Sequence, residues 1–599
     1  MPKVSKSRPA AVKGKLREQK SKIGPGLEAT RDLSFTSALS FPASWPPVIQ
    51  YAILSLATIL CLLPFSGRAF HVDDTLFLRA AQNIVKKPLD PYGFQITWDW
   101  APQQMSEITQ NPPLASYYAA LAGSVFGWSE RAMHLSFLPG AVLLILGTYR
   151  LAGKFTRIPL LAAMATLLAP GVLVSASSVM CDTMMLALWV WAAIFWIEGL
   201  DTNKPQLLIA AALLAGASAL TKYFGVALLP LLFVYSLWRL KRMGAWAFYF
   251  LIPVAMLVGY QLWTERLYGH GLLLVAAQFA SQQRAHTSAS WSVMAITGLS
   301  FAGGCSLSAL VFAPLLWPRK MLAWVVAGSV AATLLIAMDW VNLGLQVGGN
   351  YAHRENWPLV DTQLMLWIAG GIFLLALAIA DWWQRRDANS AFLALWVLGT
   401  FIFAAFLNYT VNARSVLPLI PAAAILAARR VETTGGAVPH LRLKIVAGLV
   451  VCGTIALVVA AADAGLANSA RQAAAQIAAQ IMDKTRGPAG KVWFEGHWGF
   501  QYYMEQAGAL PLNLREPEFK PGDYVVMPSN NIQTRNINPK RIVSSSEIDL
   551  QPGGFAATID GKHRAGFYSA YWGPLPYVLA RPPVERYLIL QIGDRSAGQ

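Results

Sequence analysis

Apolar runs close to the ~20 residues needed to cross a bilayer recur from Pro47 to Ala461, parted by short polar loops. They predict spans at 47–65, 131–151, 157–178, 183–199, 205–221, 223–239, 244–263, 290–316, 320–339, 362–383, 390–407, 413–428 and 443–463, about thirteen in all. Residues 67–129 interrupt the series. Within them Asn111–Phe126 is apolar enough for a span, but counting it would invert every later loop. It is read as a helix lying on, or dipping into, the membrane surface. After residue 463 the period changes: Ala474–Met482 reads as an amphipathic helix, and Lys491–Glu495, Asp523–Met527 and Arg586–Gln591 read as strands. The expected fold is an α-helical polytopic membrane protein with a small C-terminal α/β domain. Its parts are a basic, disordered cytoplasmic tail at 1–45, a transmembrane domain at 46–463 and an extracytoplasmic domain at 464–599.

Composition sharpens this. The 599 residues are 55% hydrophobic and only 13% charged, with mean hydropathy +0.43; a soluble chain carries about 25% charged residues. The net charge of +17 does not point to nucleic acid, because the basic residues sit in the N-terminal tail and in short loops. Arg239, Lys241 and Arg242, then Arg319-Lys320, Arg385-Arg386, Arg429-Arg430, Arg442 and Lys444 all fall on one side of the predicted bundle, the positive-inside pattern. The first apolar run lies too far from the N-terminus for a typical cleaved signal peptide, so it is read as a retained span. With the basic loops cytoplasmic, an odd number of spans puts the C-terminal region outside. The four cysteines (Cys61, Cys181, Cys305 and Cys452) are far apart in apolar segments and form no metal-type pair.

In that frame the ionisable residues collect at the outer boundary rather than at the bilayer midplane, where a channel or pump would hold them. Asp73-Asp74 follows the first span and can act as a base with a tuning neighbour, or hold a divalent cation. A helix cap before Thr75–Val85 explains the pair equally well. Asn111-Pro112-Pro113-Leu114 rigidifies a loop ahead of a helix, or simply starts that helix. Asp182 begins a span, where capping is again an ordinary explanation. Lys222 and Arg414 lie at head-group level, where cations either snorkel or bind a lipid phosphate.

Taken together these stretches resemble the membrane-embedded glycosyltransferases of the GT-C class, most nearly bacterial relatives of protein O-mannosyltransferases and aminoarabinose-lipid A transferases. Asp73-Asp74-Thr75-Leu76-Phe77 resembles the family's Asp-Glu-x-x-Tyr, and Asn111-Pro112-Pro113-Leu114 its His/Lys-Pro-Pro-Leu. Met180-Cys181-Asp182-Thr183 resembles its Met-Asp at the head of a span, and Leu220-Thr221-Lys222 its Leu-Thr-Lys. The run from Asn412 and Arg414 to Leu417-Pro418 and Pro421 resembles its late Arg-x-x-Leu-Pro-x-x-Pro. Asp74, Phe77 and Asn111 depart from the family residues. The resemblance implies transfer of a sugar from a polyprenyl-phosphate carrier to a lipid, glycan or protein at the outer face of a bacterial inner membrane. Asp73 would be the catalytic carboxylate and Asp74 and Asp182 its helpers, with a divalent metal among all three as one option. Lys222, Arg414 and Arg354 would hold the carrier phosphate, and Asn111, Pro112 and Pro113 would form a substrate loop. The alternative carried beside it is a non-catalytic transporter or flippase for a polar lipid.

Overall fold

The computed structural model describes residues 45–109, 111–285, 290–337, 357–434, 439–482 and 490–593. The N-terminal basic tail and Arg354 lie outside the described residues. Nine helices among those described are long and apolar enough to cross a membrane: Pro47–Phe65, Glu130–Ala152, Cys181–Thr202, Tyr223–Leu240, Ala245–Tyr268, Arg319–Ala337, Pro358–Arg385, Ala388–Leu407 and Leu441–Ile481. The chain is an integral, multi-pass helical membrane protein. The other four predicted spans are helical too, but not as single straight rods. Residues 159–176 form two helices, Pro159–Leu167 and Pro170–Ala176, bent by 61°. Pro205–Thr221 is 17 residues long. The 290–316 stretch breaks into Trp291–Ser306, Ser308–Val311 and Ala313–Leu316, and 413–428 breaks at Pro418. Proline explains the breaks at 170 and 418, since it removes a helical N–H and its ring clashes with the preceding turn.

Packing joins these helices into one core that buries Trp189, Trp196 and Trp396. Gly303 lets Trp291–Ser306 approach the helix Trp357–Arg385 so closely that a Cβ there would strike the facing backbone at Trp367 and Gly371, the small-residue contact by which membrane helices pack. The segment read as a surface helix is Leu114–Phe126, 13 residues or about 20 Å, against a hydrocarbon core of about 30 Å. It packs on the amphipathic helix Asp74–Lys86.

Ion pairs tie together the ends of the spans at one end of the bundle. Glu198 takes Arg150 and Lys154, each at 3.0 Å; Asp201 takes Arg239 at 3.2 Å; Asp381 takes Arg385 and Arg429, both at 3.2 Å; and Arg157 approaches Glu432 at 3.7 Å. Asp182 stands at the other end of the helix that carries Glu198, about 24 Å away at 1.5 Å per residue.

At that second end the chain builds its strands. Two of them, β1 (Gln95–Thr97) and β2 (Pro102–Gln104), form an antiparallel pair. The C-terminal region supplies β3 (Val492–Phe494), β4 (Leu510–Pro511), β5 (Tyr524–Pro528), β6 (Ile542–Leu550), β7 (Ile559–Asp560), β8 (Ala565–Gly566) and β9 (Glu585–Ile592). Five of these form a sheet in the order β4-β3-β5-β9-β6, with β3 parallel to β4 and β5, and β9 antiparallel to β5 and β6. The last span does not end near residue 463. It continues as one helix, Leu441–Ile477, about 55 Å long, and its far end packs Ala470, Ala473, Ala474 and Ile477 against Val492, Phe494, Phe500 and Tyr587 of the sheet layer. The separate amphipathic helix expected at Ala474–Met482 is therefore the continuation of that span. Residues 556–578 return to the helical core: Tyr577 donates to the Gly304 carbonyl at 2.9 Å, the Ala413 N–H to Phe567 O at 2.9 Å and the Ala570 N–H to Val411 O at 2.8 Å.

Candidate active site

The turn at His71–Asp74 is where the site begins. Val72 has φ +46°, a backbone region that a β-branched residue enters only at a cost of about 1–3 kcal/mol. The strain points the two aspartates apart. Asp73 occupies the cap position of the helix Asp74–Lys86 but makes no cap bond; its carboxylate meets Arg414 Nη1 at 2.7 Å. Asp74 is fully buried, accepting from the His71 N–H at 3.0 Å and the Val179 N–H at 2.9 Å. Burial pushes its carboxyl up to about 6, against the pull of Arg68 and those two N–H groups. Asp73, with 22% of its side chain exposed, can reach a ligand; Asp74 cannot. Asp74 instead pins the segment that leads into Met180.

Met180 closes the link to the next pair. Its sulfur accepts from Arg414 Nη1 at 3.0 Å, and Cys181-Asp182 opens the following helix. Asp182 is buried, with one oxygen on the Lys222 ammonium and the other lacking a hydrogen-bond partner. The charge of Arg414 also falls on Asp182. Capping and snorkelling therefore do not account for Asp73, Asp182, Lys222 or Arg414. All four point into the protein, one carboxylate to one cation, and the pairs adjoin through Met180 and Arg414. Asn111 joins them through Cys181, whose Sγ lies 3.8 Å from Asn111 Oδ1. Pro112 and Pro113 are buried behind it and lead into Leu114–Phe126.

The three aspartates do not converge. Each has its own partner, and among the described residues no group of three or more His, Cys, Asp or Glu is placed to hold a metal ion. The residues present do not fit a shared divalent cation, and no step below runs through one.

Residues 110–263, which carry Asn111, Asp182 and Lys222 but not Asp73 or Arg414, match the model of the dolichyl-phosphate-mannose-protein mannosyltransferase family. That partial match points to the membrane glycosyltransferases of the GT-C class. Among solved structures it is similar to ArnT from Cupriavidus metallidurans bound to undecaprenyl phosphate, at 14% identity and a TM-score of 0.41, over 80% of this chain and 93% of that chain. ArnT in the apo state gives 16% identity and a TM-score of 0.40, over 80% and 92%. Scores this low carry no residue-by-residue argument. No curated protein matches.

The sequence reading missed three residues that border this candidate site. Arg68 and Asp463, both buried, pair at 2.9 Å, and Asp463 also accepts from Thr558 Oγ1 at 2.7 Å and the Tyr568 hydroxyl at 2.8 Å. Tyr568 is thereby held with its ring 5.9 Å from the Arg414 guanidinium carbon and edge-on to His71 at 5.5 Å. One signal was available: an aspartate closing the apolar run 445–463 is costly without a partner. Nothing in sequence marks Tyr568, which reaches the site only because the C-terminal segment folds back.

Proposed function

We propose that this glycosyltransferase moves a sugar from a polyprenyl-phosphate carrier to an acceptor, with Asp73 as the catalytic carboxylate. The observation that carries this is the Asp73–Arg414 pair beside Asp182–Lys222: a partly exposed carboxylate and two cations in one cluster at one end of the bundle. A phosphate leaving group gains charge as its bond to the sugar breaks, and fixed cations stabilise that charge. Lys222 and Arg414 supply them, and Asp182 orients Lys222. Carrier phosphate on Arg414 displaces Asp73 from the ion pair, so the carboxylate becomes free to take the proton of an acceptor hydroxyl at the moment the donor is in place. Asp74 is a positioning residue. The matching family is named for a polyprenyl-phosphate-linked mannose, which supports this donor class.

The catalytic end is read as facing outward from a bacterial inner membrane, together with the C-terminal sheet. The concentration of Arg150, Lys154, Arg157, Arg239, Arg385 and Arg429 at the opposite end supports that orientation. The test is single-turnover transfer from a panel of polyprenyl-phosphate sugars by purified protein, read by mass. Wild type transfers at least one of them and Asp73→Asn does not; equal transfer by the variant would remove Asp73 from the mechanism.

A further inference from the structure

The C-terminal region carries one large apolar side chain that packs on almost nothing. Phe555 is 78% exposed, more than any other large apolar residue among those described. A single exposed apolar residue is ordinary on a protein surface, so exposure alone decides nothing. Position does. Phe555 closes the turn Gln551-Pro552-Gly553-Gly554-Phe555 between β6 and β7, and this turn rests on the long helix Leu441–Ile477. A Cβ added at Gly465 would stand 3.4 Å from the Gly553 carbonyl oxygen, and one added at Gly554 would stand 3.9 Å from Ala462 Cβ.

Two observations set the height of that contact. Arg68 lies three residues beyond Phe65, where the first span ends, and it pairs with Asp463. Asp463 therefore stands just past the edge of the apolar layer, at the end of the bundle that holds the candidate site, and Ala462 and Gly465 lie beside it. The second observation is the outer face of the long helix. Val446, Val450, Thr454, Leu457 and Ala461 are exposed at intervals of three or four residues, so they form one stripe along it. In a membrane-spanning helix that stripe faces lipid. Gly465 is its next position, and there the backbone of Gly553 covers it. The turn thus caps the lipid-facing stripe where the hydrocarbon ends, and Phe555 follows one residue after the contact with Ala462.

The turn is built to hold this place. Gly554 has φ +105°, which glycine adopts without a steric cost. Gln551 Nε2 donates to the Pro582 carbonyl at 2.8 Å and the Pro552 carbonyl at 3.3 Å, which ties the start of the turn to the segment before β9. On the other side Ala557 and Val578 exchange backbone bonds of 2.9 and 3.0 Å, and Thr558 Oγ1 donates to Asp463 at 2.7 Å. A turn pinned on both sides presents its apolar tip rather than folding it away.

We infer that Phe555 is a membrane contact: the turn 551–555 sets its phenyl ring into the lipid interface beside the long helix and fixes the height of the C-terminal region on the bilayer. Exposed apolar groups mark membrane or protein contacts. Lipid is the occupant here because the turn continues a face that lipid already covers. The contact also bears on the candidate site. The chain runs from Phe555 to Thr558, whose carbonyl accepts from the Phe567 N–H at 2.7 Å, next to Tyr568. The inference needs the membrane fold and not the transferase reading.

The test uses the full-length protein, one copy per nanodisc, with Cys61, Cys181, Cys305 and Cys452 replaced by alanine. A bimane label is placed on Phe555→Cys, on Leu457→Cys in the lipid-facing stripe, or on Lys540→Cys, which is exposed in the C-terminal region. Phosphatidylcholine with a doxyl group near the head of its acyl chain quenches label in the bilayer, and iodide quenches label in water. The expected result is that doxyl lipid quenches the 555 label at least threefold more than the 540 label, toward the value at 457, while iodide quenches it at least threefold less. Thermal unfolding checks the fold of each variant. A label on Gly553→Cys, where a Cβ meets nothing within 4 Å, repeats the measurement on the same turn. Equal lipid quenching at 555 and 540 overturns the inference. Protection of the 555 label from both quenchers also overturns it, assigning the turn to a protein partner, and protection that appears only when two copies share a nanodisc assigns it to a second copy of this chain.

Discussion

Replacing Asp463 tests whether the C-terminal segment holds the active site together. Asp463 and Arg68 have no exposed side-chain surface. Asp463→Ala removes the acceptor for three donors, from Arg68, Thr558 and Tyr568, and leaves a buried guanidinium bonded to Ser177 Oγ at 2.9 Å, with Asp74 and Tyr568 as its remaining polar neighbours. Leaving one member of a buried pair alone costs about 3–5 kcal/mol. The pair itself is a weak stabiliser: Nε and Nη2 of Arg68 already lack partners, so part of its desolvation cost is never recovered. Replacing both by apolar residues, Arg68→Met with Asp463→Leu, should therefore return stability to within about 1–2 kcal/mol of wild type, while Asp463→Ala alone stays low. Reversible unfolding in mixed micelles measures both. Activity separates stability from function, because in the double variant Tyr568 has lost its anchor: transfer should fall even where the fold recovers. A cost for Asp463→Ala below about 1 kcal/mol, or a double variant no better than the single one, would refute the reasoning.

Asp73→Asn should cut transfer by about 10²–10⁴-fold, the usual worth of a positioned base, with protein level and membrane insertion unchanged; both are read from quantified membrane fractions. Lys222→Met should weaken binding of the carrier more than that of the acceptor and strand Asp182 as an unpaired buried carboxylate, so Lys222→Met with Asp182→Asn should be better folded than Lys222→Met alone. Glu585 predicts a pH effect. Its carboxyl rises from 4.5 to about 8 on folding, so the native state keeps a proton that the unfolded chain releases, and stability falls as pH rises through that window; Glu585→Gln should flatten the dependence in an unfolding series. In a background without native cysteines, thiols placed at the exposed Lys204 and Lys540 should label from opposite sides of the membrane; labelling from one side would break the proposed orientation.

The helices were legible because hydrophobic periodicity is a local signal. All thirteen apolar stretches are helical, and three of the four that are not single long rods carry their explanation in composition or length: Pro170 and Pro418 at breaks, 17 residues at Pro205–Thr221. Among the strands, β3, β5 and β9 lie within a residue or so of where alternation put them. β6 was invisible because Ile542–Leu550 pairs with β9 alone and shows solvent a run of serines, so it lacks the buried face that sequence reading detects. The site was legible in part. Asp73, Asp182, Lys222 and Arg414 were found because ionisable groups stand out in an apolar chain. Their pairing was not, since Asp73 and Arg414 are 341 positions apart and an acid beside a helix looks like a cap wherever its real partner lies.

The division of labour between Asp73 and Asp74 shows how far geometry can separate neighbours that sequence makes alike. Both carboxylates sit in one turn, and either would serve as a base in isolation. The left-handed Val72 sends one toward Arg414 and the other into the protein, where two backbone N–H groups hold it. A base must reach substrate and change its partner during turnover; a carboxylate locked to the backbone can do neither. The same reasoning assigns the C-terminal region an active part. Tyr568 stands against Arg414, and Asp463 holds Tyr568 through its hydroxyl, so one wall of the proposed phosphate site is furnished by a segment that follows the last span by about a hundred residues. A variant lacking the residues after 540 would keep every charged group of the cluster and lose that wall. It should bind carrier loosely and transfer poorly, whereas a C-terminal region that merely rode on the bundle would leave both untouched.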